Sequence, residues 1–183
     1  MPKFVILDRD GVINYDSDEF IKSPDEWEPI PGSLEAIASL NQASYRVVVI
    51  TNQSGIARGL LTLDDLNQIH SKMHQLLSKV GGTIEAVFFC PHSNKASCKC
   101  RKPCPGLFYD FAERLSISLA NVPAVGDSLR DLQAAAVSGA QPILVLTGKG
   151  QQTLNGELEG LEDVPVYDDL ATFVESFLKN KNP

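Results

Sequence analysis

The amino-acid sequence predicts an α/β fold in which a central parallel sheet lies between two layers of helices. Short β-rich segments alternate with helical segments along the 183 residues. Residues 4–7 and 47–50 are continuously apolar, as is typical of strands that are buried on both faces. Polar motifs follow three of the strands, and ligands of open parallel sheets bind at that edge. We therefore expect a three-layer α/β/α, Rossmann-like fold with its site beyond the carboxyl ends of the strands.

The N-terminal half contains three predicted strands and two predicted helices. The strands cover residues 3–7, 45–51 and 85–90, and the helices cover residues 33–43 and 62–80. The second helix has the clearest pattern, because Thr62 and Asp65 form a capping pair at its start. Its apolar residues recur at helical spacing from Leu63 to Val80, so one face of this helix is expected to pack against the core.

The C-terminal half continues the same alternation. Strands are predicted at residues 123–126, 142–146 and 164–167, and helices at residues 105–115, 128–138 and 169–179. These elements account for nearly the whole chain, so we expect one domain over residues 1–183 with no large cap domain over the site.

The composition is that of an ordinary globular protein, with 43% hydrophobic and 21% charged residues. The net charge of −7 argues against nucleic acid and anionic membranes as partners, but not against a small phosphorylated substrate. No apolar run approaches the roughly 20 residues that span a bilayer. The short apolar stretch near the N-terminus is not a signal peptide, so we expect a cytoplasmic protein. We also expect a monomer, because no long exposed apolar stripe is evident.

Two carboxylates, Asp8 and Asp10, follow the first predicted strand at positions i and i+2, so both can reach one site. One carboxylate can attack phosphorus and form an acyl phosphate, which divides a difficult hydrolysis into two steps. The other can protonate the leaving alkoxide and later accept a proton from water. A solvated loop at the end of a strand is an equally good interpretation of this pair taken alone.

Further phosphate-binding groups follow the other strands. Asp127 could complete a Mg²⁺ site with Asp8 and the backbone carbonyl of Asp10, since Mg²⁺ prefers oxygen ligands. Thr51 offers a hydroxyl to a phosphate, and the backbone from Asn52 onward offers N–H groups. Positive charge for the phosphate oxygens is available from Arg101 and Lys102.

The cysteines are clustered, with Cys90, His92, Cys98 and Cys100 inside eleven residues. Three thiolates and an imidazole favour a tetrahedral Zn²⁺ without an open position for catalysis. Cys104 in place of His92 is the weaker alternative. His70 and His74 lie four residues apart on a predicted helix and are interpreted as exposed residues outside any metal site.

The motifs Asp8-x-Asp10, Thr51, Lys102 and Gly126-Asp127 resemble, in order, the four motifs of the haloacid dehalogenase (HAD) superfamily of phosphatases. Within that superfamily, TNQSGIARG at 51–59, CPH at 90–92 and CKCRKP at 98–103 are similar to the D-glycero-D-manno-heptose 1,7-bisphosphate 7-phosphatases. The resemblance implies hydrolysis of the C7 phosphate in nucleotide-heptose biosynthesis for lipopolysaccharide core or related glycans. It also implies a structural zinc site in the loop 90–100.

The resemblance implies a role for each matching residue. Asp8 would be the nucleophile and Asp10 the general acid/base, while Thr51 and Lys102 would hold the phosphoryl group. Mg²⁺ would be held by Asp8, Asp10 and Asp127, and the structural Zn²⁺ by Cys90, His92, Cys98 and Cys100. The substrate would be contacted by Asp16, Glu19, Thr51, Asn52, Gln53, Ser54, Arg101 and Lys102.

Other functions remain open on the sequence alone. Some members of the family have a lysine where this chain has Ser128, so a cationic substrate contact at that position is not expected. Histidinol-phosphate phosphatase shares the catalytic set and a similar zinc loop. A phosphatase of nucleic-acid ends is disfavoured by the acidic charge. A non-catalytic zinc module that retains a phosphatase fold is disfavoured because all four motifs are intact.

Overall fold

In a computed structural model, residues 3–158 and 160–180 are described, and they form a six-stranded sheet in which every pair of neighbouring strands is parallel. The strand order is β3-β2-β1-β4-β5-β6. The strands are β1 (Lys3–Leu7), β2 (Tyr45–Asn52), β3 (Ala86–Cys90), β4 (Pro123–Gly126), β5 (Gln141–Val145) and β6 (Val166–Tyr167).

Helices cover both faces of the sheet. They are α1 (Ser33–Gln42), α2 (Leu63–Lys79), α3 (Gly106–Leu115), α4 (Leu129–Ser138), α5 (Gly150–Leu154) and α6 (Leu170–Lys179). Val5 and Leu7 of β1 face a core that α1, α2 and α6 cover, whereas Phe4 and Ile6 face a second core that α3 and α4 cover. The alternation of side chains along β1 therefore divides the interior into two apolar layers, as expected for a doubly wound sheet.

The predicted three-layer α/β/α fold is confirmed. The predicted elements recur at the predicted places, and the start of α2 shows the expected capping box between Thr62 and Asp65. Two short elements were not predicted, namely α5 and a 3₁₀ turn at Pro24–Glu26. Both contain five residues or fewer, so neither is long enough to show a helical period.

The middle of the sheet is the point at which the direction of winding changes. Strand β1 pairs with β2 on one side and with β4 on the other, so the loops after these three strands converge on one edge. The described residues that link β1 to α1 form loops and the 3₁₀ turn, without an inserted domain. Over the residues that the structure describes, no helix is long and apolar enough to cross a membrane.

Candidate active site

Asp8 occupies the centre of this edge, directly after β1. Its backbone N–H donates to the carbonyl of Val125 in β4 at 2.9 Å, which continues the pairing of the two strands. Its side-chain Oδ1 accepts the N–H of Arg9 at 2.8 Å and lies 3.0 Å from Nζ of Lys102. The carboxylate is therefore held in one orientation, with part of it facing a polar pocket of about 300 Å³.

Lys102 supplies a buried positive charge next to Asp8. Its Nζ lies 2.7 Å from Oδ1 of Asp131 and donates to the carbonyl of Ile50 at 2.8 Å. The side-chain amide of Asn52 exchanges two hydrogen bonds of 3.1 Å with the backbone of Lys102, which ties the loop to the end of β2. Although burial opposes it, the charges of Asp131 and Asp8 raise the pKa of Lys102, so this ammonium stays charged.

Three carboxylates, from Asp8, Asp127 and Asp131, approach one another so closely that one oxygen of each lies within 4.8 Å of the others. Burial, opposed by Lys102 and assisted by neighbouring carboxylates, raises the pKa of Asp8 to about 6. Burial and the charges of Asp131 and Asp8 raise the pKa of Asp127 to about 8. Negative charges this close together suit the binding of a hard divalent cation, because such cations prefer oxygen ligands and carboxylates supply them.

Two glycines allow the backbone to approach Asp127. A Cβ on Gly11 would lie 2.1 Å from Oδ2 of Asp127, and a Cβ on Gly148 would lie 2.2 Å from the same atom. Both glycines have positive φ angles, of +85° and +56°. Oδ2 of Asp127 also accepts the backbone N–H of Lys149 at 2.7 Å. The loop after β5 therefore closes against the carboxylate cluster.

The Asp10 carboxylate is not part of this cluster. Neighbouring side chains hold it by hydrogen bonds. Arg9 donates from Nε and Nη2 to its carboxylate at 2.9–3.0 Å. Asn14 donates to Oδ1 and Gln53 to Oδ2, both at 2.9 Å. Although burial opposes it, the charge of Arg9 and the amide hydrogen bonds lower the pKa of Asp10. About 20% of the side chain remains exposed, and it lines the pocket.

Most of the substrate-contacting residues that the sequence predicts line the same pocket. These are Asp16, Thr51, Asn52, Gln53, Ser54, Arg101 and Lys102. Glu19 is the exception, because its side chain is exposed and does not line the pocket. Gln53 also links two residues of the pocket, because its amide donates to Oγ1 of Thr51 at 3.0 Å as well as to Asp10.

Several cations at the pocket were not on the predicted list. Arg58, Arg130 and Lys149 line it together with Arg101. Burial, and then the charges of Arg130 and Arg58, lower the pKa of Arg101, so these guanidinium groups act on one another. Nζ of Lys149 lies 3.1 Å from Asp16. Arg58 lies in the same 51–59 segment as Thr51, whereas the only sequence signal for Arg130 and Lys149 was their position after the start of α4 and after the end of β5.

The four residues predicted to bind zinc come together as a compact set. One ligand atom from each of Cys90, His92, Cys98 and Cys100 lies within 4.8 Å of the others. Sγ of Cys90 is 3.8 Å from that of Cys98 and 3.0 Å from that of Cys100. Nδ1 of His92 is 3.2 Å from Sγ of Cys100. This donor set suits tetrahedral Zn²⁺, whereas the alternative ligand Cys104 is exposed and outside the cluster.

The interpretation of His70 as an exposed residue was wrong. Its ring is largely buried, and Nε2 lies 3.3 Å from Nη1 of Arg9. His74, one turn further along α2, is exposed. The helical spacing of the two histidines indicated a common face but could not show that the loop after β1 covers only one of them.

Family models match over most of the chain. The model described as polynucleotide kinase 3 phosphatase matches residues 3–133, and the model described as HAD-hydrolase-like matches residues 99–173.

Full-length relatives are more specific. The D-glycero-beta-D-manno-heptose-1,7-bisphosphate 7-phosphatase of Bordetella bronchiseptica is 56% identical over 97% of this chain and 98% of its own length. The protein of the same name from Neisseria meningitidis serogroup A is 48% identical over 97% of this chain and 95% of its own length. The crystal structure of the B. bronchiseptica D,D-heptose 1,7-bisphosphate phosphatase, complexed with magnesium and phosphate, superposes with a TM-score of 0.94 and covers 97% of this chain and 99% of that one.

Proposed function

The chain belongs to the family of D-glycero-beta-D-manno-heptose-1,7-bisphosphate 7-phosphatases in the HAD superfamily, and we infer that it removes the C7 phosphate of such a sugar through a phosphorylated Asp8. The observation that carries the mechanism is the pairing of Asp8 with Lys102 at the edge of the sheet, next to the Asp127 carboxylate. The product, a heptose 1-phosphate, belongs to nucleotide-heptose synthesis for lipopolysaccharide core or related glycans.

In the first step, a carboxylate oxygen of Asp8 attacks phosphorus while the bond between phosphorus and the C7 oxygen breaks. Lys102 and the Thr51 hydroxyl, which lines the pocket, stabilise the charge on the phosphoryl oxygens. Asp10, as the carboxylic acid, gives its proton to the leaving oxygen. Arg9 favours the ionised form of Asp10, and the negative charge of a bound phosphate opposes that effect.

In the second step, water attacks the phosphorus of the acyl phosphate, and the bond to the Asp8 oxygen breaks. Asp10 is now the carboxylate and takes the proton from that water. The products are inorganic phosphate and the original Asp8 carboxylate, and Asp10 is protonated again, so both protein groups return to their starting states. The low pKa of Asp10 suits this step, because the base must be ionised before the water can react.

We propose Asp8, Asp127 and the backbone carbonyl of Asp10 as the ligands of Mg²⁺. When bound, the ion supplies positive charge to the phosphate oxygens. Both oxygens of Asp131 have other partners, since Oδ1 pairs with Lys102 and Oδ2 accepts from Ser128. Asp131 therefore acts by holding Lys102 beside the nucleophile.

We propose that Cys90, His92, Cys98 and Cys100 hold a structural Zn²⁺. The last of these ligands directly precedes Arg101 and Lys102, so the ion would order the loop that delivers both cations. These four protein ligands complete a tetrahedral site, so no position is left for substrate or water. The ion would therefore have a structural role and no catalytic one.

The anomeric phosphate requires a second set of cations at the far end of the substrate. Arg101 provides one, and Arg58 and Arg130 lie close enough to it to lower its pKa. Phe20 supports Arg58, whose guanidinium carbon lies 5.4 Å from the ring centroid. Asp16 and Ser54 line the space between the two ends and can accept hydrogen bonds from sugar hydroxyls.

The names of the relatives specify the β anomer, and we propose the same preference here. We further propose a cytoplasmic monomer whose single domain, residues 1–183, carries the whole site. Neither nucleic acid nor a membrane is required, because the proposed substrate is a small sugar bisphosphate.

The test is a comparison of kcat/KM for the β-heptose 1,7-bisphosphate with that for histidinol phosphate. We expect the heptose substrate to be at least about tenfold better, which corresponds to about 1.4 kcal/mol of transition-state preference. The matched Asp8→Asn protein, purified in parallel, measures any contaminating phosphatase. A preference for histidinol phosphate would overturn the heptose assignment and leave the phosphatase chemistry in place.

A further inference from the structure

Arg9 is a fully buried arginine in the loop after β1, with 0% of its side chain exposed. A buried guanidinium needs partners for its donors, because an unpaired charge in the interior is costly. Nε and Nη2 bind the Asp10 carboxylate, and Nη2 also donates to Oε1 of Gln53 at 3.2 Å. Nη1 lies 3.3 Å from Nε2 of His70.

The contacts fix the direction in which Asp10 points. Nη2 of Arg9 lies 2.9 Å from Oδ1 and 3.0 Å from Oδ2, so it bridges both oxygens of the carboxylate. Asn14 binds one of these oxygens and Gln53 the other. Rotation of the carboxylate would break several charge-assisted hydrogen bonds at once. The carboxylate nevertheless remains about 20% exposed and lines the pocket.

His70 supports Arg9 from the side of helix α2. Burial, and then the charge of Arg9, lower the pKa of His70 to about 4, so its ring is neutral at pH 7. A neutral ring with its proton on the other nitrogen can accept a hydrogen bond from Nη1. The same helix packs its apolar face into the core, which makes it a rigid support for the contact.

We propose that Arg9, supported by His70 and Gln53, is a positioning residue that aims the Asp10 carboxyl group at the leaving oxygen. The proposal rests on the function proposed above, in which Asp10 is the general acid/base. The side chain of Arg9 does not line the pocket, so it acts through the pocket residues that it contacts, mainly through Asp10 and also through Gln53. If Asp10 is no longer oriented toward the leaving oxygen, proton transfer becomes less efficient. Such proton transfer typically contributes a factor of about 10² to 10⁴ to the rate.

The test uses leaving groups that differ in their need for a proton. We compare kcat/KM for the heptose bisphosphate, an alkyl phosphate, with kcat/KM for p-nitrophenyl phosphate, whose leaving group departs without protonation. This parameter covers only the steps up to release of the first alcohol, so it isolates the first step. Arg9→Met should lose roughly a hundredfold on the alkyl ester and less than about threefold on the aryl ester. Arg9→Lys, which keeps the charge, should lie between wild type and Arg9→Met.

A second pair of variants keeps the test valid if Arg9 variants do not fold. His70→Leu removes the acceptor for Nη1, and His74→Leu makes the same change one turn away at an exposed position. We expect His70→Leu to lose about three- to tenfold on the alkyl ester only, as for one hydrogen bond. His74→Leu should match wild type on both substrates.

Asp10→Asn separates failure of this proposal from failure of the proposed function. If Asp10→Asn shows no selective loss on the alkyl ester, Asp10 is not the general acid and the proposed function fails. If it shows that loss but folded Arg9 and His70 variants retain wild-type ratios, only the positioning role is overturned. Equal losses on both esters in the Arg9 and His70 variants would also overturn it, because they indicate a general disturbance of the site.

Discussion

The affinity for Mg²⁺ should depend strongly on pH, because protons compete for the ligand carboxylates. Without a metal, the pKa of Asp127 is about 8 and that of Asp8 is about 6. The fraction of chains with both groups ionised therefore falls about a hundredfold between pH 8 and pH 6. The apparent Kd for Mg²⁺ should rise by the same factor of about 100, and binding at pH 7 should release about one proton.

Isothermal titration calorimetry measures both quantities. Titration of Mg²⁺ into chelator-treated protein at several pH values gives the Kd, and buffers of different ionisation enthalpy give the number of protons released. Asp127→Asn is the matched control, because it removes the group with the pKa of about 8. Its affinity should be lower overall, but its Kd should change only about twofold between pH 8 and pH 6.

The same groups determine how stability depends on pH. Asp8 and Asp127 have folded-state pKa values above the unfolded value of about 3.8, so their contribution favours folding at low pH. This contribution should be fully present below pH 3.8 and should be lost as pH rises from there through about 6 for Asp8 and through about 8 for Asp127. Mg²⁺ should therefore raise the unfolding midpoint more at pH 8 than at pH 6. A Kd that changes by less than threefold between these pH values would show that the carboxylates are ionised without metal, and would refute the reasoning.

Three further predictions concern individual side chains. Folded Asp8→Asn should lose at least about a thousandfold in kcat, as measured by phosphate release, because an amide does not attack phosphorus. Cys98→Ser should lose the bound zinc by elemental analysis and unfold about 10 °C lower by calorimetry, equivalent to roughly 3 kcal/mol, whereas Cys104→Ser at an exposed position should change neither. Lys102→Met should lower the free energy of unfolding in urea by about 3–5 kcal/mol at pH 7.5, because the buried Asp131 and the largely enclosed Asp8 lose their partner. Part of this stability should return at pH 5, where these carboxylates take up protons. Retained stability at pH 7.5 would contradict that account.

The local patterns of the sequence were sufficient for the elements and for the main reactive groups. Continuous apolar runs marked β1 and β2, and the Thr62–Asp65 pair marked the start of α2. Because the carboxyl ends of parallel strands share one edge, the sequence alone predicts that Asp8, Thr51 and Asp127 line a common pocket, and they do. The close spacing of the cysteines likewise predicted their cluster.

Contacts between residues far apart in the chain depended on the packing of whole elements. Arg9 and His70 are separated by 61 positions, and only the placement of α2 beside the loop after β1 brings them together. Lys149 reaches Asp127 and Asp16 because Gly148 allows the loop after β5 to approach. Residue type and spacing carry the preference for a helix, a strand or a ligand. The distance between two side chains is decided by how apolar faces pack, so the partners of Asp10, Lys102 and Arg101 emerged only from the tertiary structure.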